Sequence, residues 1–276
     1  MSIDFTLTIY RRLLSAIKQS GYAFYTFEEW CRGEASGRYV ILRHDVDSKA
    51  GNSLTIAGIE AEMGIRATYY FRIVPRSNQP EIIRAIAKLG HEIGYHYEDL
   101  SLFRGDMEKA YEHFKIQLAY FRQFYPVQTI CMHGSPTSKW DNRDLWNSYS
   151  YRDLGIIGEP YLDFLNEPEI NYFTDTARMW DGSSSNVRDK QQVSKEQQSI
   201  NKESTPNQQH IITPSGHSLH STSDLIEWFE TNPAQNSIMI TTHPQRWTDN
   251  SAEWFMEIWK QYFKNKIKKI LIRISR

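Results

Sequence analysis

The sequence has few cysteines, almost no net charge and no long apolar run, and each of these absences excludes a class of protein. The two cysteines, Cys31 and Cys131, lack CxxC spacing, and Cys131 lies in an apolar segment where a buried thiol is the expected state. A net charge of −1 argues against a general nucleic-acid or anionic-membrane surface. No segment is apolar over the thickness of a bilayer, and the residues around Asp4 predict no signal peptide. The composition therefore favours a cytoplasmic enzyme.

A regular alternation of strands and helices begins at Tyr39. An N-terminal helical extension over residues 1–38 precedes it, with one amphipathic helix expected over 5–19 and a second that begins at the capping-box spacing Thr26–Glu29. The predicted strands are Tyr39–His44, Ala67–Ile73, Glu92–His96, Gln128–His133, Leu154–Ile157, Asn171–Phe173, Ser237–Thr242 and Ile267–Ile274. The predicted helices between them are Ala50–Met63, Pro80–Leu89, Asp106–Gln123 and Ala252–Lys264. Repeated β-α units predict an α/β fold with a mostly parallel sheet, doubly wound or closed into a barrel, in one domain over residues 1–276.

Residues 183–210 interrupt this alternation. They are mainly Ser, Asn, Gln and Lys, with almost no large apolar side chain. Because such a segment cannot offset its ordering entropy by burial, we expect a mobile polar loop there. The apolar strand predicted at 237–242 follows it, so the loop is not interpreted as a domain boundary.

The segment Leu42–Asp47 is the most informative in the chain, because an apolar strand there ends in two carboxylates. Ligands of α/β folds gather at the carboxyl ends of strands. Asp45 and Asp47 have the same parity on an extended chain, so both can point into one site. The alternative is that these are strand-end acids that cap the next helix. Later strands also end in polar residues, and this repetition favours a catalytic or metal-binding role over capping.

Three later strands end in histidine, at His96, His133 and His243. A fourth segment, Asp175–Asp181, is a charged cluster around a tryptophan. A neutral imidazole together with a carboxylate suits Zn²⁺ or a similar divalent ion. These strand ends predict a convergent polar site of the kind that hydrolases use.

The order of these segments resembles the polysaccharide deacetylase superfamily (NodB homology, carbohydrate esterase family 4). The resemblance covers roughly residues 39–274, and its nearest branch is that of cytoplasmic deacetylase-like proteins encoded with lipopolysaccharide or capsule genes. It implies a distorted (β/α) barrel of about seven parallel strands with the site at the carboxyl-end face. Arg43–Asp47 occupies the place of the family's T-F-D-D-G motif, and Gly90–Leu100 that of its G-H-E-I-G-N-H-[ST]-x-x-H motif.

The resemblance also implies residue roles. Asp45 takes the role of the catalytic base, and Asp47 and His96 take the roles of metal ligands. Leu100 stands where the family has its second histidine ligand, so the usual ligand triad is incomplete. His133 is the expected replacement in a site for one divalent ion, with zinc the expected metal. The alternatives are Glu98, Asp99 or loss of the metal.

The remaining motifs supply the other roles. Arg178 is expected to orient Asp45 by charge pairing, since the segment around His133 contains no arginine. His243 matches the family's catalytic histidine and is expected to act as the general acid. Trp180 and Arg246 are the expected substrate-binding residues.

The implied reaction is hydrolysis of an N-acyl group, with N-acetyl expected first, on a sugar or glycan precursor of surface polysaccharide. Deformylation of a formamido sugar, or metal-free amide hydrolysis on the same fold, is the alternative chemistry. A catalytically inactive homologue that binds a glycan is the non-enzyme alternative. Leu100 favours this last alternative, whereas the acids and histidines at the strand ends argue against it.

Overall fold

The computed structural model describes residues 3–134, 138–165, 170–180, 219–231 and 237–260. Its strands are β1 Ala23–Tyr25, β2 Tyr39–Val46, β3 Thr68–Phe71, β4 Glu92–Tyr97, β5 Ile130–Met132, β6 Ile170–Thr174 and β7 Ser237–Thr242. The helices are α1 Leu7–Gln19, α2 Phe27–Cys31, α3 Ala50–Glu62, α4 Pro80–Lys88, α5 Asp99–Leu102, α6 Met107–Phe121 and α7 Thr222–Thr231. A further helix occupies residues 251–260. Short 3₁₀ or π turns lie at Asn142–Asn147, Tyr151–Leu154, Pro160–Phe164, Thr176–Arg178 and Pro244–Arg246.

All seven described strands form one sheet in which every pair is parallel. The order is β5-β4-β3-β2-β7-β6, and β1 pairs with the first residues of β2. Nearly every residue of β2, β3 and β4 is buried, as expected when both faces of a parallel sheet are covered. The predicted α/β fold with a barrel-like sheet of about seven parallel strands is confirmed.

The two faces of β2 differ in what they contact. His44 lies on the helix-covered face, where its Nε2 is 2.7 Å from a carboxylate oxygen of Glu60 in α3. Arg43 and Asp45 point to the opposite face, and the register places them beside Thr68 and Tyr70 of β3. This opposite face is rich in polar groups, unlike the branched apolar layers that usually fill a barrel interior.

A hydrogen-bonded acid lies at the amino end of this polar face. Glu92 accepts hydrogen bonds from the Thr68 hydroxyl (2.7 Å) and the Glu28 N–H (2.9 Å), and also from the Thr129 hydroxyl. The Phe27 N–H donates to the Thr68 hydroxyl (2.8 Å). Two N–H groups of the first turn of α2 are therefore satisfied by side chains of the sheet.

The N-terminal residues are joined to the C-terminal quarter of the chain. Helix α1 packs on α7. The linking hydrogen bonds run from Thr248 N–H to the Phe5 carbonyl (3.1 Å), from Leu7 N–H to Asp249 (2.9 Å) and from the Ser20 hydroxyl to the Phe229 carbonyl (2.8 Å). The described part of the extension, residues 3–38, is thus packed against the rest of the chain, and it contains β1, which the sequence pattern did not predict.

Most predicted elements lie where the pattern put them. The capping box is present, since Thr26 accepts from the Glu29 N–H (3.2 Å) and Glu29 accepts from the Thr26 N–H (2.8 Å). No strand forms over 154–157: Tyr151–Leu154 is a 3₁₀ turn ended by Gly155 at φ 71°, and only a single parallel bridge, between Thr129 and Gly158, follows it. The polar loop at 183–210, the predicted strand at 267–274 and residues 261–264 of the predicted last helix lie outside the described residues.

Within the described ranges, no helix has both the length and the apolar character that a membrane crossing requires.

Candidate active site and metal centre

The parallel sheet brings the predicted side chains to one edge. Asp45 and Asp47 lie at the end of β2, His96 near the end of β4, and His133 and His243 directly after β5 and β7. His243 Nε2 lies 3.9 Å from Asp47 Oδ2, and His96 Nε2 lies 3.7 Å from Asp45 Oδ2. Five of the eight predicted site residues therefore form one cluster.

Asp47, His96 and His133 form a group that is suited to a metal ion. His133 Nδ1 is 3.1 Å from Asp47 Oδ1 and 3.3 Å from His96 Nε2, and His96 Nε2 is 3.8 Å from Asp47 Oδ1. Ligand atoms about 2.1 Å from a tetrahedral ion are roughly 3.4 Å apart. The three spacings match that requirement closely.

The protonation pattern fits a metal as well. His96 Nδ1 is 2.9 Å from the Cys131 carbonyl, which can only accept, so Nδ1 carries the proton and the lone pair of Nε2 faces the group. Burial lowers the pKa of His96 to about 3, although Asp45 opposes the shift. Asp47 Oδ1 is buried and has no hydrogen-bond donor aligned with it in the described part of the chain. One carboxylate and two neutral imidazoles are a donor set that zinc accepts.

The other candidate ligands are engaged elsewhere. Glu98 is held by Arg72 through contacts of 2.7–2.9 Å, and Asp99 accepts from the Tyr95 hydroxyl (2.8 Å) and contacts His113 Nδ1 (2.5 Å). The position equivalent to the missing ligand, Leu100, is 1% exposed and packs in the core. His133 is therefore the third ligand that the geometry favours.

A second group of possible ligands consists of Asp45, His96 and Cys131. Arg43 holds both oxygens of Asp45, donating from Nε to Oδ1 (2.9 Å) and from Nη2 to Oδ2 (2.7 Å). This group offers a carboxylate whose charge is already neutralised, so it is the weaker metal site.

The Arg43–Asp45 pair is fully buried and bidentate. Burial opposes ionisation of Asp45, but Arg43 outweighs it and lowers the pKa of Asp45 below its usual value. The Tyr161 hydroxyl accepts a further bond from Arg43 Nη2 (3.1 Å). Asp45 is thus held as an anion in one orientation, as a general base requires.

The prediction that Arg178 pairs with Asp45 is corrected by this geometry. Arg178 lies over the Phe5 ring (4.5 Å to the centroid) and donates to the Arg246 carbonyl (3.1 Å). Arg43, two residues before Asp45 on the same strand face, occupies the orienting position because i and i+2 side chains share a face.

His243 is oriented by Asp175, at the end of β6. The ring Nδ1 of His243 lies 2.6 Å from Asp175 Oδ1, and the backbone N–H of His243 donates to Asp175 Oδ2 (2.9 Å). Arg246 Nη1 and the indole Nε1–H of Trp247 also donate to this carboxylate (2.6 and 3.0 Å). Burial opposes its ionisation, but Arg246 and His243 lower the pKa of Asp175 to about 2. The Nδ1 proton is therefore fixed towards Asp175, and Nε2 faces the site.

Neither predicted substrate-binding residue is presented to a ligand. Trp180 is 5% exposed, stacks on Phe5 and donates to the Thr222 hydroxyl (3.1 Å). Arg246 is buried on Asp175. In the described residues both side chains are thus engaged by the protein itself, and their contact with a sugar stays a prediction.

The charges of the site are paired in a simple way. Three carboxylates each have an arginine, in the pairs Arg43–Asp45, Arg72–Glu98 and Arg246–Asp175. For Asp47 the nearest guanidinium nitrogen is Arg72 Nη1, at 4.0 Å. Asp47 is therefore the one carboxylate among these four without its own arginine, and it lies within 4 Å of three imidazoles, those of His96, His133 and His243.

The comparisons with known proteins give weak similarity. No family model matches the chain, and no curated protein matches it. A solved structure of a CE4-family pseudoenzyme from Bacillus anthracis is 10% identical, with a TM-score of 0.37, over 84% of this chain and 66% of that one. A mutant of the peptidoglycan deacetylase PdaC from Bacillus subtilis is 12% identical, with a TM-score of 0.36, over 85% of this chain and 97% of that one. The chain thus spans slightly less than two thirds of the first of these.

Proposed function

We propose that the chain is a metal-dependent carbohydrate N-deacetylase of the carbohydrate esterase family 4 superfamily. It removes an N-acyl group, with N-acetyl expected, from a cytoplasmic sugar or glycan precursor of surface polysaccharide. The observation that carries the proposal is the oriented carboxylate Asp45 beside the Asp47–His96–His133 group, with His243 Nε2 3.9 Å from Asp47.

Asp47, His96 and His133 are the residues that would hold the ion. A divalent ion such as zinc, when bound there, polarises water and the acyl oxygen. Burial keeps His96 neutral, and its Nδ1–H on the Cys131 carbonyl leaves the Nε2 lone pair free for the ion. His133 completes a set that Leu100 leaves one ligand short.

The protein's own groups supply the proton transfers. Asp45, kept ionised by Arg43, accepts a proton from water as the water oxygen bonds to the acyl carbon. His243, protonated and held by Asp175, gives its Nε2 proton to the nitrogen as the carbon–nitrogen bond breaks. The products are a carboxylic acid and the free amino sugar, so atoms and charge balance.

Release of acetate and formate from N-acetylated and N-formylated amino-sugar nucleotides tests the proposal. Asp45→Asn and His243→Ala are expected to lower kcat about 10²–10⁴-fold, the usual range for general acid–base groups, with metal content unchanged. The wild-type rate is expected to rise with pH as Asp45 ionises, and the lowered pKa of Asp45 places this rise below the usual range of a carboxyl group. His113→Ala is the matched control, because His113 makes an imidazole–carboxylate contact with Asp99 outside the cluster.

Equal release by wild type and both variants removes these roles. Formate release without acetate release identifies a deformylase. No release from any acyl sugar, with no metal bound, favours an inactive glycan-binding protein, the outcome that Leu100 in the ligand position favours.

A further inference from the structure

We propose that Arg72 is a catalytic residue that binds the anion formed at the acyl carbon, first the oxyanion and then the carboxylate product. The inference rests on the proposed function, because it assigns Arg72 to the acyl group of the same substrate. Arg72 directly follows β3, at the same edge of the sheet as the metal group. The anion it takes is small, of the size of acetate or formate.

The Arg72 guanidinium is held rigidly on one side. Nε donates to Glu98 Oε1 (2.9 Å), and Nη2 donates to Oε1 (2.8 Å) and Oε2 (2.7 Å). The Arg72 N–H is itself anchored on the Ser77 hydroxyl (3.0 Å). A donor that is already oriented loses little entropy when it binds an anion.

The third nitrogen of Arg72, Nη1, remains available. Its nearest acidic oxygen is Asp47 Oδ1 at 4.0 Å, beyond hydrogen-bond distance. Across the described ranges of the chain, no acceptor forms a hydrogen bond with Nη1. The side chain is 19% exposed, so the nitrogen is accessible to a small molecule that enters the site.

Arg72 and His243 stand on the two sides of Asp47. Arg72 Nη1 lies beside Oδ1 (4.0 Å) and His243 Nε2 beside Oδ2 (3.9 Å). An amide group lying over Asp47 has its oxygen on one side of the carbonyl carbon and its nitrogen on the other. The geometry therefore assigns the oxygen to Arg72 and the nitrogen to His243, which must protonate it.

Glu98 and, at 4.0 Å, Asp47 balance the charge of Arg72 in part, and a bound anion would balance it further. A metal ion held by Asp47, His96 and His133 would repel the Arg72 guanidinium, because both are positively charged. Glu98 offsets that repulsion in part, since it lies 4.0 Å from His133 Nε2. An anion bound between this group and Arg72 Nη1 would offset the rest of this repulsion, and it would accept a charge-assisted hydrogen bond from Nη1.

Acetate titration followed by NMR tests the assignment, on metal-free and zinc-loaded protein. Arg72→Gln is expected to raise the acetate dissociation constant about 10- to 100-fold, the range for a lost hydrogen bond to a charged group. Zinc affinity is expected to stay equal or to become tighter, because a neighbouring cation is removed. Arg66→Gln is the matched control: Arg66 pairs with Glu29 at the opposite end of β3. In turnover, Arg72→Gln is expected to lower kcat with little change in KM.

The outcomes separate this inference from the proposed function. Unchanged acetate binding in Arg72→Gln, or no acetate binding by wild type, overturns the role of Arg72. Loss of zinc together with acetate also overturns it, since Arg72 then acts only as a support for Glu98 and His133. If acetate binding depends on Arg72 but no acyl sugar is hydrolysed, the anion site stands and the proposed function fails. If acyl sugar is hydrolysed equally well by wild type and Arg72→Gln, the function stands and the inference fails.

Discussion

Removal of His133 is the perturbation that tests the metal group most directly. His133 is partly exposed, at 16% of its side chain, so His133→Ala leaves no large cavity. His96, in contrast, is 2% exposed, and its removal also disturbs packing. A loss of metal binding in His133→Ala can therefore be assigned to the lost ligand rather than to the fold.

The expected size of the loss follows from typical zinc sites. Structural zinc ions bind with about 10–16 kcal/mol over four ligands, or roughly 2.5–4 kcal/mol for each ligand. Because about 1.4 kcal/mol corresponds to a factor of ten, one lost imidazole weakens binding about 10²–10³-fold. Competition with a zinc-binding dye at neutral pH measures this change, and a thermal melt of metal-free protein checks the fold.

The control for this experiment is His113→Ala, which removes an imidazole bound to a carboxylate outside the cluster. Zinc affinity in that variant is expected to equal that of wild type. A change of less than about threefold in His133→Ala refutes the three-residue group. In that case the zinc affinity of Glu98→Gln shows whether Glu98, whose carboxylate lies 4.0 Å from His133 Nε2, is the third ligand.

Three further predictions concern proton positions. Asp175→Asn should lower kcat about 10²–10⁴-fold with substrate binding retained, because the amide no longer fixes the tautomer of His243; an unchanged kcat in steady-state assays contradicts this. Burial raises the pKa of Glu92 to about 7, so the folded protein keeps a proton that the unfolded chain has lost, and stability should fall by up to about 3 kcal/mol as pH rises from 5 to 8. Urea unfolding at several pH values measures this slope, and Glu92→Gln should abolish it. Burial lowers the pKa of His96 to about 3, so its Nε2 should remain unprotonated down to pH 4 in an NMR titration of metal-free protein. Because the unfolded chain binds this proton at higher pH, the free energy of unfolding should fall as pH drops from about 6.5 towards 3. An NMR midpoint near 6.5 contradicts this prediction.

Much of the fold was predictable because hydrophobic pattern and strand ends carry local information. The strand before Asp45 contains four consecutive apolar residues and the strand before His243 contains three, and both end in polar groups, so β2 and β7 were predicted with good bounds. Strand β1 has three residues, only partly buried, and its pairing with β2 depends on tertiary contact. A pattern that short is not distinguishable from a loop.

The site was predictable for groups at strand ends and not for their partners. Asp45, Asp47, His96, His133 and His243 were named because each ends a strand. The partner of Asp45 was misassigned to Arg178, although the parity of Arg43 along β2 was a usable signal. Asp175 and Arg72 were recognised as site residues only from distances between strands, which sequence spacing does not encode.

The hydrogen bonds that join the N-terminal residues to the C-terminal quarter have a consequence for synthesis. Phe5 and Ser20, on either side of α1, leave the ribosome before their partners Thr248 and Phe229, which follow more than 200 residues later. At about 5–20 residues per second, the partners arrive roughly 10–50 s after α1. During that time α1 can contact α3, but its residues that pack on α7 lack their native partner, and closing so long a loop is slow. We therefore expect nascent chains stalled before residue 220 to bind chaperones through α1, and full-length chains to release them once Thr248 has emerged.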